Sequence, residues 1–185
     1  MHSTLHSRLF PALVAATLSL SACTTLQKAP AATAQLVDSS GAARGTATFS
    51  PEEAGTRVQV RVSGLNAGMH GMHIHANPAC TNTTDAEGKV TVFGGAGGHF
   101  DPAGAGHHGS PESGNSQGHG GDLPMLMVND DGTATASFLT AKISLSGANS
   151  VIGRSIIIHA APDDYHTDPS GNSGPRERCG VILGS

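Results

Sequence analysis

Tryptophan is absent from this 185-residue chain, tyrosine occurs once, and aromatic residues together make up only 3%. Charged residues are also scarce, at 13%, and nowhere do lysines and arginines cluster. The missing basic patch removes the electrostatic footprint of a nucleic-acid-binding protein. Beyond the N-terminal region no ten-residue window carries a helical apolar stripe, which excludes a helical bundle or a coiled coil. No internal repeat is visible, and the length suits one domain with a single core better than two. What the chain has in quantity is glycine, 25 residues, the composition of short strands joined by many turns. It also has 11 histidines, and seven of them (His70, His73, His75, His99, His107, His108 and His119) fall in one 50-residue stretch. Such crowding points to metal.

The apolar run Leu9 to Leu20 follows a weakly basic start and is too short to span a bilayer as a permanent helix, so it reads as a secretory signal. It ends Leu20-Ser21-Ala22-Cys23, which resembles the lipobox of bacterial lipoproteins. By that resemblance residues 1–22 are expected to be the leader and Cys23 the acylated first residue, whose diacylglycerol and amide-linked chain would supply the several acyl groups that stable anchoring requires. Thr24 in place of Asp points by the same resemblance to the outer membrane. With Cys23 so used, Cys80 and Cys179 remain as one even pair in an exported, oxidising setting and are expected to form a disulfide. A closed loop of roughly 100 residues corresponds to about 4–5 kcal/mol in the chain-entropy model.

Residues 23–33 are rich in Ala, Thr and Pro and suit a flexible tether; a single domain is expected from Ala34 to Ser185. Arg57 to Val62 alternates polar and β-branched residues without interruption, the pattern of a half-buried strand. Shorter strands are expected at Thr33–Val37, Arg44–Phe49, Lys89–Phe93, Thr133–Leu139, Ser155–Ala160 and Gly180–Leu183. That count implies an all-β sandwich or barrel. Gly94 to Asp122 is too polar and glycine-rich for a central strand, and a loop of that length needs something to hold it. A second long loop covers Pro162 to Arg178.

His73 and His75 stand two residues apart on a predicted strand, so both rings point to one face while His70, Met72 and Ile74 share the other. His70 is therefore expected to pack or hydrogen-bond rather than join the same ion. In the loop, His99, His108, His119 and Asp122 offer three nitrogens and one carboxylate, a set suited to zinc. At these residues the sequence resembles the copper/zinc superoxide dismutase family. The motifs are Gly71-Met72-His73-Ile74-His75, Gly98-His99-Phe100-Asp101-Pro102, His108-Gly109-Ser110-Pro111 and His119-Gly120-Gly121-Asp122-Leu123-Pro124. Gly153-Arg154-Ser155 through His159, Gly171-Asn172-Ser173-Gly174-Pro175-Arg176 and Cys179-Gly180-Val181-Ile182 follow in the same order.

The resemblance implies a flattened eight-stranded Greek-key barrel or sandwich with a long metal-binding loop and a C-terminal active-site loop. It implies one copper per subunit on His73, His75, His99 and His159, and one zinc on His99, His108, His119 and Asp122, with His99 shared between them. Four imidazoles suit both copper oxidation states, and a redox-inert zinc organises the loop. By the same resemblance Asp163 links a copper histidine to a zinc histidine, and Arg176 guides the anionic substrate while His99 helps deliver a proton. The implied reaction is dismutation of superoxide to dioxygen and hydrogen peroxide, protecting the cell envelope of a bacterium from a lipid-anchored periplasmic position. A periplasmic metal-binding module without turnover would use the same histidines and could do without Arg176, whereas a zinc hydrolase would need an open zinc position and a general base. His107 and His166 receive no role, and Arg178 adds a charge that would alter the potential at the site's rim. The sequence admits a homodimer without specifying an interface.

Overall fold

Strand periodicity carries directly into the architecture. The computed structural model describes Met1 and residues 31–185; the rest of the expected leader, Cys23 and most of the expected tether lie outside the described residues. In β1 (Ala32–Val37) alternate residues Ala32, Ala34 and Leu36 are buried, and in β3 (Gly55–Val62) the alternating set Thr56, Val58, Val60 and Val62 faces inward. The remaining long strands are β2 (Ala43–Glu52), β9 (Ala134–Thr140), β10 (Ser155–His159) and β11 (Arg176–Val181). Shorter ones are β4 (Gly68–His70), β5 (Met72–His75), β6 (Thr83–Thr84), β7 (Val90–Thr91), β8 (Leu126–Val128) and β12 (Leu183–Gly184).

The sheet runs β5-β10-β11-β1-β2-β3-β9, antiparallel throughout, with β12 also paired to β1. A separate β4-β8 pair joins its two edges: β4 continues through Gly71 into β5, and β8 turns through Asn129–Thr133 into β9. The result is the curled all-β architecture expected. Leu36, Phe49, Ile74, Leu126, Ile156, Ile158 and Ile182 fill the interior with almost no exposure. Each such side chain contributes roughly 1.5–3 kcal/mol of burial free energy. A smaller cluster of Phe93, Ala96, Ile157 and Cys179 forms on the other face of β10.

Several boundaries differ from expectation. β1 begins at Ala32, two residues inside the expected tether, because Ala32 already pairs with Phe49 and Gly184. The strand expected at Lys89–Phe93 shrinks to Val90–Thr91, paired only with Thr83–Thr84 and exposed on both faces, so no burial extends it. Phe93 instead takes a left-handed conformation (φ 52°) and opens a 3-10 turn, Gly94–Ala96. The last expected strand divides into β11, which starts already at Arg176, and β12. β4 and β8 were not anticipated, being three residues each.

Candidate metal centre

β5 is an edge strand, and the way its free edge is covered builds the site. On one side it pairs with β10; on the other, Ile74 N–H donates to Gly121 O (2.9 Å) and Phe100 N–H to Ile74 O (2.8 Å). A Cβ at position 121 would collide with the Ile74 carbonyl, so only glycine permits this approach. The long loop is thereby stitched to β5, with Asp122 bridged to His73 and His99 to His75. Met72 and Ile74 enter the core, leaving His73 and His75 on the loop-facing side, as the period-two reading expects.

Backbone and carboxylate partners fix the ring nitrogens. His75 Nδ1–H donates to Gly97 O (2.9 Å) and His159 Nδ1–H to Gly174 O (3.0 Å), leaving Nε2 of each free as a donor atom for metal. His73 donates from Nε2 to Asp163 Oδ2 (2.6 Å), leaving Nδ1. These nitrogens and His99 Nε2 are buried without a hydrogen-bond partner, and the ligating atoms of the four residues lie within 4.8 Å of one another. Four unpartnered buried nitrogens would be costly unless a cation completes them. An all-imidazole set fits copper.

On the far side of His99, Asp122 Oδ1 lies 2.9 Å from His99 Nδ1, 3.0 Å from His108 Nδ1 and 3.5 Å from His119 Nδ1. The His108 and His119 nitrogens are buried yet not aligned as hydrogen bonds to that oxygen, the arrangement of ligands around a common ion. Three imidazoles and one carboxylate fit zinc. Donor atoms of His73, His99, His108 and Asp122 lie within 4.8 Å of one another; His119 stands outside that set and is tied to it by the 3.5 Å approach of its Nδ1 to Asp122. Asp163 joins them from behind, accepting from His73 at Oδ2 and from His108 Nε2–H at Oδ1 (2.8 Å).

Burial is the main reason the His73 and His159 rings are pushed down to about 3 and about 4; neighbouring His99 adds to the shift at both. His75 and His99 move the same way, again chiefly through burial. His108 is the exception. Burial disfavours its charge, but the adjacent Asp122 carboxylate and the hydrogen bond to Asp163 outweigh that and push it up to about 9. Both carboxyls, although buried, are held well below the usual carboxylate range by their histidine partners.

Arg176, the first residue of β11, is opposite His159 in register. Its Nη1 and Nη2 donate to Phe93 O and Gly97 O, each at 2.7 Å, so the guanidinium is fixed beside the His75 and His159 rings with further N–H groups to spare. His70 is buried, with Nδ1 2.6 Å from His159 O and Nε2 2.9 Å from Asn66 O, a structural position as expected. His107 is exposed and bonded to Ala105 O, and His166 is exposed beside Asp164. Arg178 corrects an expectation: it is buried, its guanidinium bound to the carbonyls of Glu177, Ser63 and Gly64, and it ties β11 to the turn after β3 instead of lining a rim. Cys80 and Cys179 are disulfide-bonded, Cα atoms 5.6 Å apart. The sequence reading missed the carbonyls of Phe93, Gly97 and Gly174, which carry no side-chain signal, and Asp168, whose carboxylate accepts from the His108 backbone N–H (2.6 Å).

The family model of copper/zinc superoxide dismutase matches residues 43–182. A protein named superoxide dismutase [Cu-Zn] from Deinococcus radiodurans is 54% identical over 170 residues, covering 92% of this chain and 93% of that protein. Its namesake from Neisseria meningitidis is 44% identical over 140 residues, 75% of this chain and 73% of the relative. Among solved structures, the Cu/Zn superoxide dismutase of Brucella abortus superposes with a TM-score of 0.72 at 33% identity, covering 80% of this chain and 97% of that one. A SOD-like protein from Bacillus subtilis gives 0.68 at 30% identity, covering 82% and 97%.

Proposed function

Because this chain belongs to the copper/zinc superoxide dismutase family, we propose that it dismutates superoxide at the bacterial cell envelope, held in the periplasm by a lipid on Cys23. Dismutation and the use of copper and zinc follow from the family; the residue assignments and the location are the proposal. The observation that carries it is the convergence of four buried, unpartnered imidazole nitrogens beside the fixed guanidinium of Arg176.

In this reading His73, His75, His99 and His159 hold copper, and His99, His108, His119 and Asp122 hold zinc. Copper supplies one-electron chemistry that turns two superoxide ions and two protons into dioxygen and hydrogen peroxide, while zinc supplies fixed charge. The polypeptide does the rest. Arg176 presents its free N–H groups to an anion entering beside His75 and His159, and orients it by charge-assisted hydrogen bonds. His99 faces both metal positions through its two nitrogens, so Nε2 can hold and release a proton beside the substrate while Nδ1 stays with the Asp122 side. Asp163 fixes the orientation and basicity of His73 and His108 at once.

Support for the envelope location is the lipobox-like Leu20-Ser21-Ala22-Cys23 behind a short apolar run. Outer-membrane anchoring and pairing into a homodimer belong to the same proposal, with exposed Ile152 and Leu183 offering apolar surface for the latter. Mass spectrometry of the N-terminal peptide from detergent-extracted protein tests the anchor: an acylated Cys23 is expected, and an unmodified peptide spanning residues 20–28 would contradict it.

A further inference from the structure

Outside the two ligand sets, one carboxylate has a partner that the family motifs do not explain. His108 is almost fully buried, and its backbone N–H, placed between the zinc-side ligands and the second loop, donates to Asp168 Oδ1 at 2.6 Å. The same residue's ring is already gripped by Asp163 at Nε2 and faces Asp122 at Nδ1. Thus two carboxylates five residues apart in the C-terminal loop hold one histidine, one by its side chain and one by its backbone.

The loop that carries them is shaped to lie against His108. Gly171 has φ +61°, and a Cβ there would collide with Asp163 Oδ1 and come within 2.7 Å of His108 Nε2. Its N–H donates to Thr167 O (2.7 Å) and its carbonyl accepts from Asp164 N–H (2.9 Å), which closes the loop on itself behind the contact. Asp164 adds Oδ1 and Oδ2 as acceptors for Thr167 and Asn172. The loop is a preformed unit whose attachments to the zinc loop include Asp163 and Asp168.

We propose that Asp168 is a positioning residue for zinc: its carboxylate holds the His108 backbone, so that the C-terminal loop latches this ligand in place. Asp168 is itself exposed, so removing its carboxylate leaves the His108 amide to water and the His108 backbone without this tie to the C-terminal loop. Loss of such outer contacts lowers metal affinity by roughly 10–100-fold in other sites. The latch also couples the loop ending at Arg176 to zinc retention, and it rests on the assignment of His108 as a zinc ligand.

The test uses the full protein loaded with zinc alone, reading release to a colorimetric chelator, and in parallel with cobalt(II) in the zinc position, reading its visible absorption. Asp168→Ala should release zinc roughly 10-fold faster and change the cobalt spectrum. Asp168→Asn, which keeps an acceptor oxygen, should stay within a few-fold of the parent. Equal zinc release by parent and Asp168→Ala, with β2 and β3 amides still protected from hydrogen exchange, would overturn the latch. So would equal losses in the Asn and Ala variants. His108→Ala separates the two levels of the argument: it should lose zinc, and zinc retention there would overturn the ligand assignment and the latch with it. Should the Ala variant not fold, the parent itself decides: the amides of His108 and of residues 164–171 should exchange together and slow together on zinc binding, and independent exchange would contradict the proposal.

Discussion

Arg176 carries a charge that the whole molecule does not supply. From Cys23 onward the chain has nine basic and fourteen acidic residues, a formal −5, so attraction of an anion must be local. Focusing by a low-dielectric channel raises association rates by roughly 10-fold or more. Arg176→Glu should therefore cut the dismutation rate constant by at least that factor and weaken or reverse its decline with salt, while Arg176→Lys, which keeps the charge but not the fork that reaches Phe93 O and Gly97 O, should lose less. Pulse radiolysis at several ionic strengths, on protein with full copper content, checks this; parent-like rates in the Glu variant would contradict it. The histidines predict a contrast in acid sensitivity between the two metals, each loaded alone. In the proposed assignment zinc displaces a proton from the His108 ring, whose pKa is pushed up to about 9, so zinc affinity should rise about tenfold per pH unit below that value. His73 and His159 are proton-free above about pH 4, so copper affinity should change little between pH 5 and 8. Chelator competition across that range should show a steep slope for zinc and a shallow one for copper; parallel slopes would refute the assignment. Most of these residues were legible because each histidine sits in a distinctive glycine- or proline-flanked motif. Asp168 was not, since its partner is a backbone N–H 60 positions away.

Among the elements, β5 and the long loop depend on each other. The Ile74–Gly121 and Phe100–Ile74 hydrogen bonds give the strand a second neighbour, and the Asp122 side chain fixes the loop's far end, accepting from Gly109 N–H at 2.9 Å. Asp122→Ala removes that acceptor together with the carboxylate proposed to hold zinc. It should lower zinc affinity and expose the segment 94–122 to proteolysis, while cleavage at the parent's rate with zinc retained would count against the arrangement. The disulfide acts on the other side of the site. Cys80 anchors the segment whose later residues, Phe93 and Gly97, supply the carbonyls that hold Arg176. Cys80→Ser should cost about 2–5 kcal/mol in stability and also reduce the salt dependence conferred by Arg176. A melting-temperature loss without any kinetic change would show that the bond is structural alone. Alternation made β1, β2, β3 and β9 readable, since each has one buried and one solvated face. β4 and β8 escaped because three residues carry too little pattern, and Lys89–Phe93 misled because its polar and β-branched alternation lies where neither face is covered.

For the molecule as a whole, the curled sheet provides a rigid wall, and the two long loops place a metal-ready cluster and one guanidinium on its outer side. The fold was legible from strand count and glycine content only as a sandwich or barrel; the eight-stranded Greek-key form came from the family resemblance, and the order of strands from the structure, because pairing between segments as distant as Val37 and Cys179 leaves no local trace. The same histidines in a protein that only stores metal would need no fixed Arg176 beside the His75 and His159 rings, which is why turnover separates the two readings. The most direct measurement is the superoxide dismutation rate of the full protein after reconstitution to one copper and one zinc per chain, with both metals counted in the same sample. The account predicts rapid dismutation that disappears when copper is removed and returns when it is restored; full occupancy of both metals with no dismutation would contradict it and leave a metal-binding module.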